Sequence, residues 1–183
     1  MGSIEDFFGS GDSSEVVKSL SSSSPKAILS YLITSSKRVL SIYALMRDSL
    51  PKGYGKVRFS RFVDMKGKQV ENLCKIALKL YPEALSHDLP EEVPNISFST
   101  TGDYLSTLRA VIRIEGDQLD ALKNLVGNVS DPDVRAIIGD TIESIKNIVS
   151  LLSMEIQRVE KADSRAKFAE FVKELVGDRD GRI

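Results

Sequence analysis

Cysteine and histidine are almost absent from this chain, whose 183 residues include one of each, Cys74 and His87. A single thiol excludes an intramolecular disulfide, a cysteine-based zinc cage and the paired cysteines of a rubredoxin-type iron site. The only histidine has no cysteine near it in sequence, so no Cys–His nucleophile is suggested. Cys74 sits beside an apolar helix face and reads as a buried structural thiol. Charge of one sign is lacking as well. Lys and Arg number 25 against 26 for Asp and Glu, and so balanced a surface sets up no global field toward nucleic acid or membrane. No apolar run approaches the roughly 20 residues that a bilayer span requires, and no basic segment followed by an apolar stretch suggests a secretory leader. A cytoplasmic protein is the expectation, and in that setting the sequons at Asn95 and Asn128 carry no meaning. Glycines form no phosphate-cradling loop between a strand and a helix. Gly53 and Gly55 instead flank Tyr54 in a turn between two helices.

What is present is an ordinary globular balance, 42% hydrophobic and 28% charged, arranged with helical periodicity. Residues 1–24, rich in Gly and Ser, read as a flexible arm or a short docking helix around Val16, Val17 and Leu20. Ser24-Pro25 is a helix start, because serine caps the free amides and proline costs nothing at the first helical position. The first helix then runs to about Asp48, with Leu29, Leu32, Ile33, Val39, Leu40 and Tyr43 on one face. A second, from about Val57 to Tyr81, carries Phe59, Phe62, Val63, Val70, Leu73, Ile76 and Leu80. A linker of about 18 residues, with Pro90 and Pro94, is long for a turn and suits a crossover along a bundle.

The third helix starts near Thr101 and ends at Gly127, expected as a left-handed cap. The fourth opens on Asp131-Pro132 and carries Val134, Ile138, Ile142, Ile145, Ile148, Val149, Leu152 and Ile156. Its phase is lost after Glu160, and Asp163 or Ser164 is expected to cap a short fifth helix with Phe168, Phe171, Val172 and Leu175. The fold class is therefore all-α: two helical hairpins, a long crossover, a four-helix bundle over 25–160, and a C-terminal amphipathic helix and tail over 161–183. No segment reads as a strand.

The halves repeat. At an offset of 79 residues, Leu29, Ile33, Leu40, Phe59, Val63, Val70 and Leu73 fall on Leu108, Ile112, Leu119, Ile138, Ile142, Val149 and Leu152. Every pair is apolar on both sides. Midway along the helices the apolar stripe is interrupted, by Ser36 on the first, Lys66 and Gln69 on the second and Glu115 on the third. The fourth stays apolar there, at Ile145 and Ile148. The offset carries Ser36 onto Glu115, Lys66 onto Ile145 and Gln69 onto Ile148, so one layer is special in both halves.

A carboxylate on the first helix of a hairpin and Glu-x-x-His on the second, repeated after a crossover, is the di-iron plan of four-helix carboxylate proteins. In helix spacing, in the phrase Asp131-Pro132-Asp133-Val134-Arg135 and in the phase of Tyr43, residues 25–160 resemble the rubrerythrin-like branch of the ferritin-like superfamily. Of the six ligand places that resemblance implies, only Glu115 is a carboxylate. Ser36 stands at the first-helix glutamate, Lys66 and Gln69 at the first Glu-x-x-His, and Ile145 and Ile148 at the second. Two irons need several anionic oxygens and imidazoles, so the site is read as degenerate and no cofactor is expected. Two fates remain open for Lys66 and Glu115: both snorkel to solvent, or they meet as a buried ion pair.

A basic run, Lys52, Lys56, Arg58, Arg61, Lys66 and Lys68, is interleaved with Tyr54, Phe59 and Phe62. Such a mixture can track a phosphate backbone, or it can be the solvated side of a helix whose aromatics are core. Three functional expectations follow. The first is a non-catalytic, metal-independent ferritin-like protein acting by protein binding or assembly, with a homodimer expected from fold analogy and the partner undefined. The second is a ferritin-like peroxidase or oxidase with a site remodelled around Glu115. The third is a nucleic-acid-associated protein using Lys52–Lys68.

Overall fold

The computed structural model describes residues 23–49, 54–82 and 100–177, with side chains given from 55 in the second segment and to 166 in the third. Four α-helices make up this part of the chain: α1 (Pro25–Ser49), α2 (Tyr54–Leu80), α3 (Thr101–Gly127) and α4 (Pro132–Gly177). Among the described residues there is no strand.

The helix starts are chemical. Ser24 Oγ accepts from the Ala27 amide at 3.3 Å. Thr100 and Asp103 cap each other's amides in a capping box at the head of α3, which satisfies two amides that a first turn leaves free. Asp131 Oδ1 accepts from the amides of Asp133 and Val134 at 2.9 and 3.1 Å, with Pro132 in the first helical position. The end of α3 differs from the sequence expectation. Gly127 remains in the helix, and Asn128 closes it at φ −104°, its amide donating to the Leu125 carbonyl. A residue with negative φ does the capping, so no left-handed glycine is needed there.

α1 packs along α2 and α3, and α4 packs along the same two. Lys79, at the end of α2, pairs with Asp131 and Asp133 at the start of α4. Near the start of α2, Arg58 meets Glu155 far along α4, so α2 and α4 are antiparallel. Tyr104, in the first turn of α3, donates to that same Glu155 and its ring packs on Phe59. α3 therefore begins at the end of the bundle where α2 begins; residues 83–99, where the sequence reading puts the crossover, lie outside the described residues.

The fourth helix differs from expectation. No break falls at Asp163 or Ser164, and α4 continues through 46 residues to Gly177. At 1.5 Å rise it is about 69 Å long, against about 40 Å for a helix of 27 residues. The side chains of Phe168, Phe171, Val172 and Leu175 lie outside the described residues, as do residues 1–22, Lys52 and His87.

The core is two apolar clusters, one at each end. The first gathers Ile28, Leu29, Leu32, Leu73, Ile76, Leu122, Leu125, Val134, Ile138 and Ile145. The second gathers Val39, Tyr43, Met46, Phe59, Phe62, Leu108, Val111, Ile148 and Leu152. In the second, the Phe62 ring lies 5.4 Å from both Tyr43, tilted to it, and Phe59, edge-on to it, spacings at which aromatic pairs are favourable. Between the two clusters lies a layer that is not apolar.

Candidate functional site

The layer forms where each helix brings a polar residue onto its buried face. From α1 come Ser35 and Ser36, from α2 Lys66 and Gln69, and from α3 Glu115 and Gln118, all of them buried. Ser144 of α4 joins at the edge, half-buried. A lysine and a glutamate with side chains 0% exposed have each lost their hydration, which is costly unless the protein replaces it.

The replacement is direct. Lys66 Nζ donates to Glu115 Oε2 at 2.7 Å and to Gln118 Oε1 at 2.6 Å. The other carboxylate oxygen, Oε1, accepts from the Tyr43 hydroxyl at 3.0 Å. Gln118 Oε1 also accepts from Ser36 Oγ at 3.2 Å, while its Nε2 donates to Ser35 Oγ at 3.1 Å. Ser35 in turn donates to the Leu32 carbonyl. The chain of contacts runs from the backbone of α1, through the amide of Gln118, to the ammonium and on to the carboxylate and phenol.

Burial drives the Lys66 pKa below its usual value, opposed by the adjoining Glu115 carboxylate. Burial, and then the Glu115 charge, raise the Tyr43 pKa well above that of an ordinary phenol. Tyr43 therefore remains a hydrogen-bond donor and is no source of protons under ordinary conditions.

Gln69 is held differently. Its Nε2 donates to Ser144 Oγ at 2.9 Å, and its Oε1 is buried with no hydrogen-bond partner among the described residues. Ile145 and Ile148 are fully packed, one in each apolar cluster. Of the six positions read from the sequence, four lie in this layer and the two isoleucines in the clusters that flank it. Ser36, Lys66 and Glu115 belong to a single network, Gln69 bonds separately to α4, and the two isoleucines contribute packing alone. Sequence reading overlooked Gln118, Ser35 and Ser144. Gln118 was detectable in principle, three residues beyond Glu115 on the same face.

The ligand set that the resemblance implies does not fit these residues. Both oxygens of Glu115 are already engaged, one of them by an ammonium that repels a cation placed beside it. Among the described residues no three of His, Cys, Asp and Glu come together as a metal site would require.

A second buried carboxylate was not anticipated. Glu155 interrupts the apolar face of α4, its side chain 1% exposed. It is bound by Arg58, by Tyr104 at 3.2 Å and by Arg158 at 2.6 and 3.1 Å. Burial would raise its pKa, but Arg158 foremost and Arg58 after it outweigh that and hold it below the carboxylate range. This contact changes the basic run on α2. Arg58 points inward to Glu155, Lys66 lies in the central layer, and Phe59 and Phe62 are core. Arg61 and Lys68 are exposed and Lys56 is half-buried, so the run does not present one cationic face. No helix among the described residues is long and apolar enough to cross a membrane.

Comparison with known proteins adds no family: no family model, curated protein or solved structure matches this chain. The functional reading therefore rests on the residues alone.

Proposed function

We propose that this chain is a metal-independent bundle of ferritin-like, rubrerythrin-like layout that acts by protein binding or assembly, as a homodimer, and not by redox catalysis. The observation that carries the reading is Lys66 Nζ, hydrogen-bonded at the centre to Glu115 and Gln118. An ammonium provides there the positive charge that metal ions provide in a di-iron bundle, and it compensates the one carboxylate left. Further support comes from hydrogen bonding. Lys66, Glu115, Gln118 and Ser36 satisfy one another, and Gln69 Oε1 is the one buried side-chain atom left without a partner among the described residues. A charge-neutral network whose members satisfy one another sets register and packing. A bundle so built offers its surfaces, not its interior, to the rest of the cell.

Elemental analysis of protein purified without chelators tests the reading. The expected result is less than about one-tenth of an equivalent of iron or manganese. Stoichiometric metal that disappears in Glu115→Ala overturns it and favours a remodelled metal centre around Glu115.

A further inference from the structure

The outward side of α1 is shielded, although no described helix lies against it. From Tyr31 to Arg47 no residue of α1 is exposed. Its inward stripe, Leu32, Ser36, Val39, Tyr43 and Met46, is buried in the bundle. By helical register Thr34, Lys37, Ser41 and Ala44 fall on the opposite side, yet all four are half-buried. α1 packs on α2 and α3, which flank the inward stripe. The corresponding side of α4 is open, with Gly139, Glu143, Lys146, Ser150 and Met154 all exposed.

We propose that residues 83–99 dock along the outward side of α1, with the carboxylates of Glu91 and Glu92 against Lys37 and Arg38. The segment itself lies outside the described residues, and three observations on either side of it carry the proposal. The first is connectivity. α2 ends beside the start of α4, where Lys79 meets Asp131, and α3 begins at the other end, where Tyr104 meets Glu155. α1 and α4 each pack on both α2 and α3, so the latter two are diagonal. The peptide joining them passes outside α1 or outside α4, and of those two sides only that of α1 is shielded.

The second is length. α1, with 25 residues, is about 38 Å long, and the 17 residues of 83–99 reach about 56 Å when extended. The third is charge. Residues 83–99 hold Glu83, Asp88, Glu91 and Glu92 with no lysine or arginine, whereas α1 holds Lys26, Lys37, Arg38 and Arg47 against Asp48. Complementary charge selects a partner and fixes its register. Lys37 stands at the middle of α1 and Glu91 at the middle of 83–99, so an even run along the helix sets them level. A binding partner then has the faces of α2, α3 and α4 to dock on, and not that of α1.

This goes beyond the metal-free reading and is tested without reference to metal content, so its failure leaves that reading standing. Carbodiimide joins an ammonium to a carboxylate where the two are in contact. It is applied to the full wild-type chain at low salt, with light and heavy-isotope protein mixed. The expected product is a peptide pair joining Lys37 to Glu91 or Glu92 within one copy. Thiol labelling in a Cys74→Ala background gives a second measurement. Ser41→Cys is expected to react at least about tenfold more slowly than Ser150→Cys on α4, and Glu91→Lys with Glu92→Lys is expected to remove most of that difference. Lys37 joined instead to residues 1–22 overturns the proposal in favour of the amino-terminal segment. Lys37 joined to a carboxylate of the other isotope overturns it in favour of a second copy. Ser41→Cys reacting as fast as Ser150→Cys overturns it outright, because the face is then open. Should a variant fail to fold, the wild-type cross-link decides the question.

Discussion

Replacing Lys66 by methionine keeps most of the side-chain volume and removes only the ammonium, which isolates the role of charge in the central layer. Glu115 is then left 0% exposed, with the Tyr43 hydroxyl as its remaining partner. Removing one member of a buried pair costs about 3–5 kcal/mol. For a chain of this size, at about 2–4 °C per kcal/mol, that corresponds to a fall in Tm of about 6–20 °C. Adding Glu115→Leu removes the stranded charge. An apolar pair of similar volume ranges from neutral to about 1–4 kcal/mol better than the ion pair, but it leaves the buried Tyr43 hydroxyl without an acceptor, at about 1–3 kcal/mol. The double variant is therefore expected within about 3 kcal/mol of wild type, and Tyr43→Phe on top of it should recover about a further 1 kcal/mol. Urea unfolding read at the midpoint, with the slope checked for constancy, measures all three. A double variant no more stable than Lys66→Met alone would refute the reasoning, because Glu115 would then not be the group the lysine compensates.

Gln69→Leu should be neutral or stabilising by about 1 kcal/mol, because it removes a buried acceptor with no partner along with a single hydrogen bond to Ser144; a urea midpoint showing a loss above about 1 kcal/mol would count against that. Acid should weaken the fold through Glu155. Its folded-state pKa lies below the ordinary value, so the native state binds its proton less readily than the unfolded chain does. The stability it contributes is present above the carboxylate range and is lost as the pH falls through it. Between about pH 6 and about pH 3 the urea midpoint should therefore drop less steeply in Glu155→Gln than in wild type, and equal slopes would assign the acid limb to other carboxylates.

Much of the fold was legible without coordinates because its causes are local. Ser24, Asp131 and Pro132 mark helix starts by the hydrogen bonds they can or cannot make, and the apolar stripes mark the faces that must be buried. The errors came where a local signal had competitors. Gly127 looked like a left-handed cap, but Asn128 ends α3 at a negative φ. The loss of phase after Glu160 looked like a helix end. Helix geometry requires no buried stripe, however, and α4 continues on backbone hydrogen bonding through Gly177. Arg58 looked like part of a cationic surface because nothing in its neighbourhood along the chain advertises Glu155, 97 residues away.

The sequence by itself determined that the chain is helical, where three of its helices begin (the second starts at Tyr54, ahead of the expected Val57), that it repeats, and that its buried helix faces carry Ser36, Lys66, Gln69 and Glu115 instead of leucine. It left open whether Lys66 and Glu115 meet. Periodicity locates a residue around its own helix to within a sector, and a long side chain in that sector can reach either water or a neighbour. Only the packing of α2 against its neighbours decided between them, by excluding water, placing an amide and a carboxylate within hydrogen-bond distance of one ammonium, and setting a phenol against the same carboxylate. Secondary structure follows from contacts a few residues apart, whereas the chemistry of a buried charge depends on partners that only the tertiary fold brings together.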